Sequence, residues 1–466
     1  MFGSGVSWAI ASEVATMTFV GNKLNVRTPR VIAWNKDSDI SQNPVGWPYI
    51  LMEDVEGVSL NNEWTKPEMR GEPVAELLTE VANDIARMNA VSFSQLGSLY
   101  FPADLPSSIP PLAAPRLFED QVRVGPIADP LWWRSYHDEP HLDRGPWDTV
   151  EDYINAAVRI ERRAVERHRE DPSSLSYTNS SVNDLVQIDH LLDKVVALAP
   201  HLKQVIEQAS PLPDSFMMNV LLHPDIRAQN LMVPKLTAEN DVSRMKDPCF
   251  IDWQGTPVLP HALQWCIPHV AEYQPRLFQA DGRPVLNVNG FEEVPWPAGF
   301  DQLNPSQQEV LRAEHRIATR KVRWNEVFLK VPKYAYLIVW PLQRYLHLLT
   351  QGILRATADG PHTLMHLLVR IKILWDEDSN ELGPCPYTFG SDELHRYQEE
   401  QERLERFDDA LSRLSIQLRC TSDGCVDPED YEFSMHELAR ARLEWDEVSC
   451  GGPFPFEDGR WGQFLR

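Results

Sequence analysis

Cysteine is scarce in this chain. Six occur in 466 residues, at positions 249, 266, 385, 420, 425 and 450, and none forms a C-x-x-C pair. That argues against a disulfide scaffold and fits reduced thiols in an intracellular protein. Cys420 and Cys425 stand closest and could form a redox or metal half-site, but two separate reduced thiols are the expectation. Long apolar runs are missing too: no stretch approaches the roughly 18 consecutive residues of a membrane-spanning helix. Basic side chains are in deficit, 44 Lys and Arg against 68 Asp and Glu, for a net charge of −24. No clustered basic stripe is evident, so a nucleic-acid backbone is not the expected partner, and an anionic membrane surface would repel the chain. Residues 1–22 hold Glu13 and no Lys or Arg, unlike a mitochondrial or secretory presequence. His137 and His141 stand four apart in HDEPH, but Pro140 opposes the continuous helix that a two-His metal site needs, so a surface loop is expected there.

What is present is a folded protein. The chain is 43% hydrophobic with 15 Trp, which excludes disorder, and its length allows two or three lobes at roughly 100–200 residues each. A helix is expected from Ser12, with Ser12 as cap, Glu13 near its positive end and Val14, Met17 and Val20 at helical spacing. PRVIAW (29–34) and PYILME (48–53) read as strands, and 73–91 as a core helix with Val74, Leu77, Leu78, Val81, Ile85 and Met88 on one face. The Pro- and Trp-rich stretch 101–147 reads as an irregular surface insertion over the scaffold. Helical patterns follow at 150–170 and 182–209, then two short apolar strand pieces, NVLLHPDIRAQNLMV and CFIDWQGTPV. Beyond Asn304 the pattern is helical throughout, at 305–322, 333–357, 361–377, 391–417 and 430–447. Tyr397, Leu404 and Leu411 are spaced by seven, yet an outer helix packing on its own domain is expected over a coiled coil.

Phosphoryl transfer from a magnesium nucleotide needs one carboxylate to orient an attacking hydroxyl. It also needs an amide oxygen and a second carboxylate to hold the oxygen-preferring Mg²⁺ against the phosphates. In HPDIRAQN, Asp225 precedes Asn230 by five positions, the spacing of the kinase catalytic loop, with His223 two residues before the Asp. In FIDWQG, Asp252 follows an apolar strand. The apolar flanks Val220–Leu222 and Leu231–Val233 suggest a strand–loop–strand hairpin, and His223 is expected to brace the loop through backbone hydrogen bonds.

HPDIRAQN with FIDWQG resembles the aminoglycoside phosphotransferase and choline-kinase-like branch of the protein-kinase-like fold. SEVATM, PRVIAW, NPVG, YILME, LGSLYF, SYTNSSVNDL and IDWQGT resemble in particular the fungal altered inheritance of mitochondria protein 9 group. The resemblance implies an α+β, bilobal fold with a small N-lobe over a large, mainly helical C-lobe. It implies a partial N-lobe at 1–55, a C-lobe with catalytic and metal-binding loops at 56–300, and a helical C-terminal part at 301–466. Asp225 would be the catalytic base, Asn230 and Asp252 the Mg²⁺ ligands, and Glu13 the helix Glu that pairs with a strand Lys or Arg. Leu51, Met52 and Glu53 would form the inter-lobe hinge beside the adenine of ATP, and Trp253 and Gln254 would shape the acceptor side. The implied activity is ATP- and Mg²⁺-dependent phosphorylation of a small-molecule hydroxyl, in a mitochondrial or, alternatively, a cytoplasmic setting.

Such a lobe also carries a Gly-rich hairpin and a cationic strand residue ahead of its helix. These need roughly 30 residues, whereas eleven precede Ser12, and the first cation, Lys23, follows Glu13. The Gly3–Gly5 run is coincidental on this reading. The expectation is a truncated form of a longer polypeptide whose phosphoryl transfer is weak as it stands; the alternative is a pseudokinase acting as a binding protein.

Overall fold

The computed structural model describes residues 4–64, 72–109, 117–134, 139, 141–209, 216–235, 247–264, 268–271, 296, 299–303, 305–329, 341–377, 382–420, 426 and 430–456. His137, Cys266 and Cys425 lie outside them. The chain divides into two compact units, one of Met1–Tyr273 with Leu286–Tyr387, the other of Gln274–Val285 with Thr388–Arg466.

The first unit begins with α1 (Ser4–Lys23). The helix does not start at Ser12, which lies in its interior and is 1% exposed. SWAIASEVATM contains no breaker, and the favourable Ala9 and Ala11 extend the buried face of Val14, Met17, Phe19 and Val20 toward the N-terminus. Glu13 is therefore mid-helix, and it gains little from the helix dipole. Gly5 lies where α1 crosses the Trp133 side chain; a Cβ there would come within 2.8 Å of Trp133 Cβ. Strands β1 (Val31–Asn35) and β2 (Tyr49–Met52) follow as an antiparallel ribbon with Trp34 opposite Ile50.

A very short β3 (Val58–Ser59) leads into α2 (Leu60–Glu63) and α3 (Glu72–Met88), the expected core helix. Gly57 before it has φ 135°, and a Cβ there would fall 2.5 Å from the Val233 carbonyl oxygen, so only glycine fits this crossing. The remaining strands are β4 (Gly97–Tyr100), β5 (Arg123–Gly125), β6 (Asn219–Leu221), β7 (Leu231–Val233), β8 (Cys249–Phe250) and β9 (Pro257–Pro260). They form one antiparallel sheet of order β3-β7-β8 and another of order β5-β4-β9-β6.

Two expectations are corrected here. The strands flanking HPDIRAQN do not form a hairpin: β6 pairs with β9 in one sheet, while β7 pairs with β3 and β8 in the other. The stretch 101–147 is not a surface covering either. It supplies β5, and Val122, Val124, Ile127, Trp132, Trp133 and Trp147 are all buried in the core. Trp132 packs on Trp147 and Tyr153 with ring centroids 5.1 and 5.3 Å apart.

Helices complete the unit. α4 (Val150–Glu170) is capped by Thr149, whose side chain accepts from the Asp152 amide. α5 (Val182–Leu198) starts with a capping box between Ser181 and Asp184. The expected continuous pattern to 209 breaks at a 3₁₀ turn, Ala199–His201, because Pro200 lacks an amide hydrogen; α6 (Leu202–Ala209) resumes after it. Next come α7 (His261–Gln264), α8 (Pro305–Leu329), α9 (Pro341–Leu354), α10 (Ala356–Asp359) and α11 (His362–Glu377). Residues 333–340 of the expected 333–357 helix lie outside the described set.

In the second unit α12 (Ser391–Leu418) packs on α13 (Tyr431–Glu444). Leu414, Leu418, Ala441, Phe454 and Phe456 form its core, with Leu411 partly buried against them. The C-terminal end of the heptad pattern thus serves its own unit. The mixture of helices with small sheets is α+β, and among the described residues no helix is long and apolar enough to cross a membrane.

Candidate active site

The loop His223–Asn230 leaves β6 in the four-stranded sheet and enters β7 in the three-stranded one, so it bridges the two sheets. Apolar strand residues on both sides are buried, Val220 and Leu221 before it and Leu231 and Val233 after it, while the polar loop between them reaches solvent at Asp225. Asn230 donates its side-chain amide to the Asp225 carbonyl and to its Oδ2, both at 3.1 Å. The five-residue spacing read from the sequence thus places the amide against the carboxylate.

His223 joins this loop to the next. Its Nδ1 accepts from the Asp225 amide at 3.1 Å, and its Nε2 donates to the Ile251 carbonyl at 3.0 Å. That arrangement requires the neutral ring protonated on Nε2. Burial, outweighing the Ile251 hydrogen bond and the Asp225 charge, lowers the pKa of His223 to about 4. His223 braces the loop, as expected, and its one ring proton is committed to the Ile251 carbonyl.

Asp252 follows β8 in a left-handed conformation, φ 64°, in which a non-glycine residue is strained. It is fixed from both sides. The Ile251 amide donates to the Asn230 carbonyl at 3.0 Å, and Thr256 donates through its hydroxyl to the Trp253 carbonyl at 2.7 Å. Trp253 is fully buried, its Nε1 donating to the Phe250 carbonyl at 2.9 Å and its ring 4.6 Å from that of His223. Trp253 is therefore a core wedge behind the loop and not an acceptor contact.

Glu13 reaches this turn from α1. Its carboxyl accepts from the Trp253 amide and lies close enough to Asp252 to feel its charge; burial first, then that charge, push its pKa up to about 7. Among the described residues Glu13 forms no ion pair, so the implied cation partner is not found. What holds α1 in place is the T-shaped contact of Trp8 with Tyr100, at 5.4 Å, and of Phe19 with Phe93, at 5.9 Å.

Leu51 and Met52 end β2 and are 53% and 37% exposed. The Glu53 amide donates to the Arg30 carbonyl at 2.9 Å, closing the ribbon. Six residues on, the Ser59 hydroxyl donates to the Ala228 carbonyl at 3.1 Å, so this segment links the ribbon to the loop that carries Asn230.

Two neighbours of Asp225 escaped the sequence reading. Arg227 Nε lies 2.6 Å from the carboxylate and His269 Nδ1 lies 3.5 Å from it. Burial works to raise the Asp225 pKa, but His269 and Arg227 together hold it below the usual carboxylate range. Arg227 stands two residues after Asp225 and could have been suspected from that. His269 comes from a distant segment tied down by the Val270 amide, which donates to the Ile226 carbonyl at 3.0 Å; no local signal marks it.

The donor set suits Mg²⁺. The Asn230 Nδ2 is spent on Asp225, which leaves its amide oxygen, and Asp252 adds a carboxylate; both are hard oxygen donors. Among the described residues no group of three or more His, Cys, Asp or Glu could hold a metal ion by itself. Mg²⁺ commonly takes one or two protein oxygens and completes its shell with phosphate and water.

No family model matches the chain, and no solved structure matches it. Curated relatives do. A Subtelomeric hrmA-associated cluster protein of Aspergillus fumigatus is 25% identical, the match covering 97% of this chain and 89% of that protein. Altered inheritance of mitochondria protein 9, mitochondrial, of Candida tropicalis is 23% identical over 85% of this chain and 64% of its own length. The protein of the same name from Kluyveromyces lactis is 26% identical over 62% and 47%. These last two relatives are named as mitochondrial proteins.

Proposed function

We propose that this protein is a phosphotransferase of the protein-kinase-like fold, which moves the γ-phosphoryl group of ATP to a small-molecule hydroxyl with Mg²⁺. The observation that carries this reading is the hydrogen bond from Asn230 Nδ2 to Asp225 Oδ2, made on a loop that His223 and Ile251 join to Asp252. Asp225 would accept the hydroxyl proton and orient the nucleophile for in-line attack. Asn230 and Asp252 would hold the metal, which when bound neutralises charge on the transferring phosphates. Leu51–Glu53 would line the adenine side, and Glu13, without a cation, would support the Asp252 turn through the Trp253 amide. The names of the fungal relatives support a mitochondrial setting for it.

Single-turnover phosphate transfer tests it. Asp225→Asn and Asp252→Ala are each expected to lower the rate by roughly a hundredfold or more; unaltered rates in both would defeat the reading.

A pseudokinase that binds a partner is favoured by one observation, the Glu13 carboxyl beside Asp252, raised to about 7 and without an ion pair among the described residues. Mg·ATP raises the melting temperature under the first reading, with about 2.7 kcal/mol of stabilisation at a hundredfold excess over Kd. It leaves it unchanged under the second.

A further inference from the structure

α8 places three arginines within reach of one another. Arg312, Arg316 and Arg320 recur every four residues, so they are scattered along the sequence and share one face of the helix. Arg320, at the end of this row, is 9% exposed. Its guanidinium lies 3.9 Å from the centre of the Trp64 ring, and its Nη2 donates to the Trp64 carbonyl at 2.8 Å, at the C-terminal cap of α2. Burial, and then the charge of Arg316, lower its pKa to about 9.

A buried cation is ordinarily compensated by a carboxylate, and none of the described ones serves Arg320. One backbone carbonyl occupies one of five guanidinium N–H donors, which leaves a planar fork of the kind that matches phosphate or carboxylate. Trp64 fixes the plane of that fork. The place is also close to the candidate active site. α2 begins right after Ser59, whose hydroxyl touches the Ala228 carbonyl at 3.1 Å, so Trp64 stands about one helical turn, roughly 6–8 Å along α2, from the loop that carries Asn230.

We propose that Arg320, with Arg316 beside it on α8, binds the oxyanion of a small molecule, a phosphate or carboxylate group, at a site distinct from Asp225, Asn230 and Asp252. A polyanion is disfavoured by the net charge of −24, which repels it at long range, whereas a single small oxyanion exchanges its hydration for the buried fork. Resting on the phosphotransferase reading, the oxyanion belongs to the acceptor, which would then carry a phosphate or carboxylate at its far end from the reacting hydroxyl.

Calorimetric titration of the full chain with inorganic phosphate, and separately with succinate, tests this. Saturable binding of at least one is expected, retained in Asp225→Asn and in Asp252→Ala, and weakened roughly tenfold or more in Arg320→Gln. The stronger of the two ligands identifies the phosphate or the carboxylate source. No saturable binding of either at millimolar concentration overturns the proposal. So does binding that Asp252→Ala abolishes and Arg320→Gln preserves, since the anion then sits on the nucleotide side. If Arg320→Gln fails to fold, Arg320→Lys and Arg316→Gln replace it, and wild-type affinity in both overturns the proposal. Anion binding in a chain that transfers no phosphate sustains the site and counts against the transferase reading alone.

Discussion

His223 donates its Nε2 hydrogen to the Ile251 carbonyl at 3.0 Å, and the strand that ends at Phe250 is thereby fastened to the loop that carries Asp225. Because the ring is buried, replacing it leaves the Asp225 amide and the Ile251 carbonyl without partners. His223→Ala is expected to cost about 2–4 kcal/mol of stability, from unsatisfied polar groups and a cavity beside Trp253. Urea unfolding measures it. An unchanged midpoint would show that the brace is idle.

A pH dependence follows from Asp129. This carboxyl is partly buried, its pKa raised to about 6 mainly by desolvation, against the opposing Leu131 amide and the Arg134 charge. In the unfolded chain it ionises near 3.8. Between those values the native state holds more protons than the unfolded one, so this contribution to stability is fully present below about pH 3.8. It declines as pH rises and is gone above about pH 6. Asp129→Asn preserves an acceptor for the Leu131 amide, now bonded at 2.8 Å. The variant should therefore gain on the order of 3 kcal/mol over the wild type at pH 7 and only a small fraction of that at pH 4, in chemical denaturation at the two pH values. A gain of the same size at both would refute the assignment.

Gly57 offers a backbone test. A methyl group there would meet the Val233 carbonyl at 2.5 Å, and φ is 135°. Gly57→Ala is expected to lose about 1–3 kcal/mol and to part β3 from β7, reported by faster amide exchange at Val58 and Met232, whose strands pair. Wild-type exchange rates at both positions would contradict the tight crossing.

The second unit has a core of its own, in which Phe454 meets Trp445 edge-on at 5.5 Å and Phe456 at 5.9 Å. Phe454→Ala should remove about 3–5 kcal/mol and raise hydrogen exchange in α12 and α13 while leaving α4 and α5 protected. Uniform loss of protection across both units would mean that they unfold as one.

The sequence made some of this legible and hid the rest for physical reasons. The ribbon strands and α3, α4 and α11 were readable because each has a strong local period and clear ends. The pairing of β6 with β9 was not, since a three-residue strand carries no register information and its partner is chosen by tertiary packing. Trp132, Trp133 and Trp147 sit among prolines, which advertise loops, yet their rings fill the core. For the candidate site, Asp225 and Asn230 came from a fixed local spacing, and the structure sets them in contact. His269 did not, because what brings it to Asp225 is the return of a distant segment, whereas Arg227, two residues on, was within reach of a local reading.

The loop from His223 to Asn230 is anchored at its two ends in different sheets. A small slip of one sheet past the other would carry its two termini in opposite directions and stretch the Asn230–Asp225 contact between them. Substitutions far from solvent, in the packing that holds the sheets in register, are thus able to detune this contact without touching either residue.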